Sequence, residues 1–314
     1  METLAIQSGD LEAHVTVKQR DLSHPYSFLQ IAEIYREANQ YDDALEWAEK
    51  GAYSFSRIDP RLSDFLAGEY HRRGRHADAM TLIWEQFVEN PGLPTYEKLR
   101  ANAMEVKTSR DKLSLVGVPE QRANADLSRT LRSGAPAGQT VPDNENTEWC
   151  YWRENALRHL RESAKVLRET DNRSTSSIEN STSLVDAIRL SKPWERESDH
   201  SLLVEVFLWE RQYDNAWHEA TTGGCTEQLW RRLADTVAEE HPDRAFRVYQ
   251  ELIAPTIAPT NNMAYNEAIK LVSKMHKLAS RLHREREFDE YLIALRTQYK
   301  LKRNFIKLLD RVKE

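Results

Sequence analysis

Residues 25–51, PYSFLQIAEIYREANQYDDALEWAEKG, are repeated in outline by residues 60–86, PRLSDFLAGEYHRRGRHADAMTLIWEQ. The copies begin at Pro25 and Pro60, so their offset is 35 residues (60 − 25). At this offset the same or a similar residue recurs in these pairs: Ile31 and Leu66, Ala32 and Ala67, Tyr35 and Tyr70, Asp43 and Asp78, and Ala44 and Ala79. The apolar positions follow helical spacing, which predicts two helices in each copy.

Residues inside the copies indicate how two helices pack and where they turn. Ala32 and Ala44 are small enough to let two helix backbones approach closely. Asn39 and Gly74 fall where the first helix must stop, and both residue types tolerate the left-handed conformation of such a turn. Pro91 follows the second copy, where a helix end is needed. Units of about 34 residues, each a pair of antiparallel helices, are typical of tetratricopeptide repeats, so we expect a tetratricopeptide-like fold.

A third copy lies in the second half of the chain. In residues 201–224, SLLVEVFLWERQYDNAWHEATTGG, Phe207 takes the place of Tyr35 and Gly223 takes the place of Gly51. A degenerate fourth copy has a stripe at Leu229, Leu233 and Val237, followed by a helix that begins at Pro242.

The last predicted helix pair is longer than the others. Apolar residues line one helix from about Met263 and then a second helix beyond the polar turn HRERE: Ile269, Val272, Met275, Ala279 and Leu282 on the first, and Phe288, Leu292, Leu295, Tyr299, Ile306 and Leu309 on the second. The sequence therefore predicts an all-α protein of antiparallel helix pairs stacked as an α-solenoid.

Two polar stretches interrupt the helical pattern. SGAPAGQTVPDNEN, residues 133–146, is rich in Pro, Gly and Asn, and TDNRSTSSIENSTS, residues 170–183, has no periodic apolar face. Both are predicted to be inserted loops. We expect N-terminal repeats in residues 1–106, a flexible insertion or linker in 107–146, and a C-terminal helical-repeat region in 147–314.

Composition narrows the class of protein. The net charge is -6, so the chain as a whole has no excess of cations for binding polyanions. Two cysteines far apart suit a reducing compartment, and the first residues lack the order of a secretion signal. No apolar run approaches the roughly 18 residues that span a bilayer. These features predict a cytoplasmic protein with no membrane partner.

The sequence contains no convincing catalytic constellation. No Gly-rich loop follows a predicted strand, as phosphate cradles require. Cys225 follows two glycines and could be a nucleophile at a helix N-terminus, where its pKa would fall, or a structural thiol. Because no base is assigned to it, we expect a structural role, no enzyme activity and no cofactor.

Longer strings carry a family resemblance: RDLSHPYSFLQIAEIYREANQYDDALEWAEKG, DPRLSDFLAGEYHRRGRHADA, SLLVEVFLWE, TNNMAYNEAIKLV and KLKRNFIKLLD. They resemble the C-terminal helical-repeat region of bacterial SWIM zinc-finger proteins over most of residues 9–106 and 146–314. The resemblance implies an interaction module attached to a zinc finger. That finger requires Cys-x-Cys followed by Cys-x-His, whereas this chain has only Cys150 and Cys225. Zinc binding therefore does not carry over, and we expect no metal site.

The first helix of each pair is expected to form the inner face of a helical stack. Repeat register assigns five exposed, partner-binding positions to this face: Glu33, Arg36, Asp64, His71 and Arg72. Their mixed charge favours a protein or peptide partner over a nucleic-acid duplex. The leading hypothesis is therefore a non-catalytic module that binds a protein segment, and the oligomeric state stays open.

Two basic segments support an alternative, nucleic-acid association. The first is His71–His76 and the second is Lys300–Lys307, and their cations are Arg73, Arg75, Lys300, Lys302, Arg303 and Lys307. Basic helices with aromatic residues can follow a nucleic-acid backbone. The first segment can equally be a solvated turn, and the second an amphipathic helix whose aromatics are buried.

Overall fold

Helices are the only regular elements among the residues that the computed structural model describes, which are 11–115, 147–175 and 199–313. Side chains are described for 11–105, 148–164 and 199–312. The helices are α1 (Leu11–Lys18), α2 (Pro25–Glu37), α3 (Tyr41–Ser54), α4 (Pro60–Arg72), α5 (His76–Glu89), α6 (Leu93–Leu115), α7 (Thr147–Thr175), α8 (Ser201–Trp209), α9 (Tyr213–Gly223), α10 (Glu227–Val237), α11 (Pro242–Ile257), α12 (Asn262–Leu282), α13 (Glu285–Gln298) and α14 (Arg303–Leu309). The all-α fold predicted from the sequence is confirmed.

The turn inside four helix pairs has one geometry. One residue adopts the left-handed conformation, with φ between 54° and 75°: Asn39, Gly74, Arg211 and His283. The N–H of the next residue donates to the carbonyl five residues earlier, at 2.8–2.9 Å. This bond satisfies a carbonyl that the helix end would leave unpaired. The turns predicted at Asn39 and Gly74 are confirmed.

Small residues lie where paired helices cross. The alanines at these crossings are almost completely buried: Ala32, Ala44, Ala67, Ala79, Ala216 and Ala220. A Cβ added to Gly51 would lie 2.6 Å from the Cβ of Phe28, and one added to Gly223 would overlap the ring of His200. Only glycine therefore fits at these two equivalent places, which explains their correspondence in the sequence.

The chain forms two compact units, residues 1–158 and 159–314, and the boundary falls within α7. In the first unit α2 packs on α3, α4 on α5 and α5 on α6, while α2 and α4 also contact each other. In the second unit α8 packs on α9, α10 on α11, and α12 on both α11 and α13. Within each unit, successive helix pairs therefore stack on one another as in an α-solenoid.

Helices extend into both segments predicted to be loops. Helix α6 continues beyond residue 107 to Leu115, and α7 continues beyond residue 170 to Thr175. Residues 107–115 contain neither Gly nor Pro, so nothing in them stops a helix. Most of the two predicted loops lies outside the described residues, and the domain limits 1–106, 107–146 and 147–314 stay predictions.

One helix predicted at the C-terminus is in fact two. The apolar stripe from Phe288 to Leu309 is interrupted between Gln298 and Arg303, where Lys302 N–H donates to the Tyr299 carbonyl at 2.8 Å. The break lets α14 fold back and pack on α12. The single-helix prediction is wrong because this packing outweighs the continuous periodicity. Among the described helices, none combines the length and apolar character needed to cross a membrane.

Candidate functional site

The first helices of the pairs in the first unit, α2, α4 and α6, share an exposed surface that we name the first-helix face. Its side chains include exposed Arg36 and Asp64 and half-buried Lys98. Glu33, expected to be exposed, is also half-buried there. The Arg36 guanidinium lies 4.7 Å from the ring centre of Phe65, which joins α2 to α4. Lys98 Nζ lies 2.7 Å from Asp64 Oδ1, which joins α4 to α6. The face is therefore a connected surface of mixed charge.

Gly68, inside α4, follows Asp64 by four residues and takes the repeat place of Glu33, which assigns it to this face. It is exposed, and an added Cβ would meet no described atom within 4 Å. A glycine inside a helix costs about 1 kcal/mol relative to alanine, because it loses more backbone freedom on folding. At position 51 glycine is required because the Phe28 side chain leaves no room for a Cβ, but no neighbour requires glycine at position 68. Gly68 therefore exposes helix backbone at a place where packing would accept a side chain.

The expectation that His71 is exposed on this face is wrong, because α6 covers it. His71 is 5% exposed, and its Nε2 lies 3.0 Å from Asn102 Oδ1 while its Nδ1 lies 2.9 Å from His76 Nδ1. The Asn102 amide nitrogen donates to the Lys98 carbonyl, so its oxygen accepts from His71 Nε2–H. His71 Nδ1 and His76 Nδ1 share a further hydrogen bond. This chain of hydrogen bonds joins α4, α5 and α6.

The arginines of the first basic segment are held by carboxylates of the protein. Their ion pairs are Arg72 with Glu69 at 2.5 Å, Arg73 with Asp42 at 2.8 Å, and Arg75 with Asp78 at 2.7 Å and Glu49 at 3.0 Å. The hydrogen bond to Asp78 raises the pKa of Arg75, and the bond to Glu49 adds to this effect. Arg72 also lies over the Tyr41 ring, 3.8 Å from its centre. These contacts reduce the cationic character of the segment.

The second basic segment differs in this respect. Among the described residues, no carboxylate lies within ion-pair distance of its four cations, Lys300, Lys302, Arg303 and Lys307. Phe305 is fully buried, and Tyr299 packs edge-on against it with ring centres 5.6 Å apart. Phe305 therefore belongs to the core, and half-buried Tyr299 packs against it, as expected if this segment is an amphipathic helix.

The second unit contains a buried polar network that the sequence analysis missed. His200 occupies the repeat place of Phe28, and Glu219 occupies that of Trp47. Glu219 accepts from His200 Nδ1 at 2.9 Å and from Arg161 Nη2 at 2.8 Å. Burial alone raises the pKa of Glu219, but the hydrogen bonds from His200 and Arg161 outweigh burial and lower it. The network thus keeps a buried carboxylate ionised.

Cys225, considered from the sequence as a possible nucleophile, lies in a buried position. Cys225 is 5% exposed, and burial, with a smaller effect of Asp199, raises the pKa of its thiol to about 12. A thiol with so high a pKa is a poor nucleophile, which supports the structural interpretation. In the described part of the chain no group of three or more His, Cys, Asp or Glu residues is arranged to hold a metal ion.

No protein-family model matches the chain, and no curated protein matches it. Solved structures with similarity include the C-terminal part of a TPR repeat-containing protein from Cytophaga hutchinsonii, with 12% identity, a TM-score of 0.29 and 97% of each chain covered. Yeast Tom70 has 10% identity and a TM-score of 0.28, and the match covers 99% of this chain and 94% of the Tom70 chain. At these TM-scores the likeness adds nothing to the fold that the helix pairs establish.

Proposed function

We propose that the first unit binds an extended segment of another protein across the first-helix face. The observation that carries the proposal is the exposed Gly68 in the middle of α4. A departure from local stability rules that packing does not explain is expected at functional sites. Without a side chain at this position, a partner backbone can approach the α4 backbone closely.

The chemistry around Gly68 suits a peptide. Glu33 and Arg36 on α2 and Lys98 on α6 flank it with charges of both signs, and each can contact a peptide side chain or main-chain amide. A nucleic-acid strand would meet Glu33 as a repulsive charge. The cations Arg73 and Arg75 are engaged in ion pairs, and Lys98 is paired with Asp64. The mixed charge therefore favours a protein segment over a nucleic acid.

Selection from a displayed library of random linear peptides tests the proposal. The wild-type chain and the Gly68→Trp variant are used as parallel targets, with Glu46→Trp, at an exposed position of α3, as the matched control. Because an added side chain at Gly68 meets open space, the variant is expected to fold normally. We expect enriched peptides to bind the wild type and the control but to lose at least tenfold in affinity for Gly68→Trp. Equal binding to all three would refute the proposal.

We infer further that the chain is a non-catalytic interaction module and that its link to SWIM zinc-finger proteins extends to the role of the repeats there. This inference rests on the resemblance of several strings of the sequence to that family and on the first-helix face. It predicts that the partner is recognised by the repeats themselves.

A further inference from the structure

The aliphatic side chains with the greatest exposure among the described residues lie in the last helices of the second unit. Leu301 is 89% exposed, Met263 is 75% exposed and Ile293 is 61% exposed. Single exposed aliphatic residues are ordinary on protein surfaces, but several in one region mark an interaction site. These three residues therefore indicate an interaction site in this region.

Two of these residues lie at the same end of the second unit. Asn304 Nδ2, at the start of α14, donates to Asn262 Oδ1, at the start of α12, at 3.2 Å. Met263 follows Asn262 directly, and Leu301 lies in the turn that leads into α14. The hydrogen bond thus keeps the start of α12 beside the turn. We name the group Met263, Leu301, Lys300, Lys302 and Arg303 the basic tip.

No carboxylate of the described residues neutralises the charge of the basic tip. Its three cations and the nearby Lys307 have no carboxylate within ion-pair distance in the described residues, and the acid that follows them, Asp310, bonds Arg296 at 2.9 Å. In the first basic segment, by contrast, both Arg73 and Arg75 are paired. The tip therefore complements an anionic surface.

The exposed apolar atoms of the tip distinguish between two kinds of anionic partner. Single-stranded nucleic acid binds by stacking bases on exposed aromatic rings. Here the aromatic rings face inward, since Phe305 is fully buried and contacts Tyr265 and Tyr299 at centre distances of 5.8 Å and 5.6 Å. What protrudes is aliphatic. Aliphatic side chains ringed by Lys and Arg fit the boundary between headgroups and acyl chains of a lipid bilayer.

We propose that the basic tip docks the protein on an anionic membrane surface. Leu301 and Met263 enter the boundary of the acyl chains, and exposed Lys300 and Arg303 contact lipid phosphates and carboxylates. Half-buried Lys302, which lies over the Tyr265 and Tyr299 rings, adds to the positive potential. Binding is peripheral and reversible, because it combines a small apolar insertion with a few charges. This proposal replaces the sequence-based expectation of no membrane partner, and it is independent of peptide binding by the first unit.

Co-sedimentation of the full chain with vesicles tests the proposal. Vesicles of phosphatidylcholine containing phosphatidylserine are compared with vesicles of phosphatidylcholine alone, at low and high salt. We expect sedimentation only with phosphatidylserine, and less of it at high salt. Lys300→Gln with Arg303→Gln should weaken binding about 25-fold, at about fivefold per cation, and Leu301→Ser should weaken it about tenfold.

Matched controls remove a cation and an aliphatic residue elsewhere. Lys277→Gln on α12 and Val88→Ser on α5 change exposed residues outside the tip and should leave sedimentation unchanged. Equal effects of tip and control variants would overturn the proposal, as would equal binding to both kinds of vesicle. Binding to a single-stranded oligonucleotide, with no vesicle binding, would assign the tip to nucleic acid instead. A concentration-dependent dimer that Leu301→Ser abolishes, with no vesicle binding, would assign it to a second copy.

Discussion

The same substitution at two glycines is predicted to change stability in opposite directions. Both Gly51 and Gly68 lie inside helices, so replacing either with alanine should gain about 1 kcal/mol from reduced backbone freedom of the unfolded chain. At Gly68 nothing opposes the gain, because the new Cβ meets open space. We therefore expect Gly68→Ala to stabilise the chain by about 1 kcal/mol.

At Gly51 the gain is opposed by a collision. The new Cβ would lie 2.6 Å from Phe28 Cβ and 3.0 Å from Leu62 Cδ2. Phe28 Cβ is fixed to the α2 backbone and cannot rotate away, so two helices must separate. Overpacking of this kind typically costs about 1–3 kcal/mol, and backbone movement adds to it. The net expectation for Gly51→Ala is a loss of about 1–2 kcal/mol once the helix gain is subtracted.

Urea unfolding measured by tryptophan fluorescence and circular dichroism separates the two variants. With a slope of about 1–3 kcal/mol per molar urea, a difference of about 2–3 kcal/mol moves the midpoints apart by roughly 1 M. Ala101→Gly, at an exposed position of α6, calibrates the helix contribution and should lose about 1 kcal/mol. Shifts of the same sign for Gly51→Ala and Gly68→Ala would refute the packing interpretation.

Three further predictions concern the second unit. Arg211→Gly should stabilise the chain by about 1 kcal/mol, because φ at Arg211 is 60°, a left-handed conformation that glycine adopts without strain. The melting temperature should therefore rise, and a lower melting temperature would show that the turn is unstrained. Glu219→Gln should cost about 2 kcal/mol near neutral pH. The pKa of Glu219 is lower in the folded chain than in the unfolded chain. The ionised carboxylate therefore stabilises the fold fully when the pH is above the ordinary pKa of a carboxyl group, and this stabilisation is lost as the pH falls through the folded-state pKa. The difference in urea stability should therefore shrink in acid, and a constant difference contradicts the network. Cys225 should resist iodoacetamide in the native chain at mildly alkaline pH and react after denaturation, as mass spectrometry can show; rapid native labelling would contradict its burial.

The helix pairs are predictable from sequence because their determinants are local and recur. Ala44 marks a helix crossing, and Asn39 and Gly74 mark turns, since each residue type suits the geometry it adopts. Arg211 adopts the same left-handed turn without being a turn residue, so only its alignment with Asn39 indicates it. The break before Arg303 has only a weak local signal, because the apolar stripe skips a single turn, at Lys302 and Arg303, and then resumes in phase at Ile306.

The sites are less predictable because they depend on contacts between distant residues. Gly68 could have been found, since it is a glycine inside a helix at the repeat place of Glu33. The burial of His71 depends on Asn102, which lies beyond the two aligned copies. His200 and Glu219 replace the contacting rings of Phe28 and Trp47. Recognising that exchange requires knowing which helices pair.

Peptide binding at the first-helix face is tested most directly by thiol protection at Gly68. Gly68→Cys places an exposed thiol on α4, and Glu46→Cys places one on α3 as the control. The rate of maleimide labelling is measured for each variant, with and without a saturating amount of a selected peptide. We expect the peptide to slow labelling at position 68 at least tenfold and to leave labelling at position 46 unchanged. An unchanged rate at position 68 would contradict it.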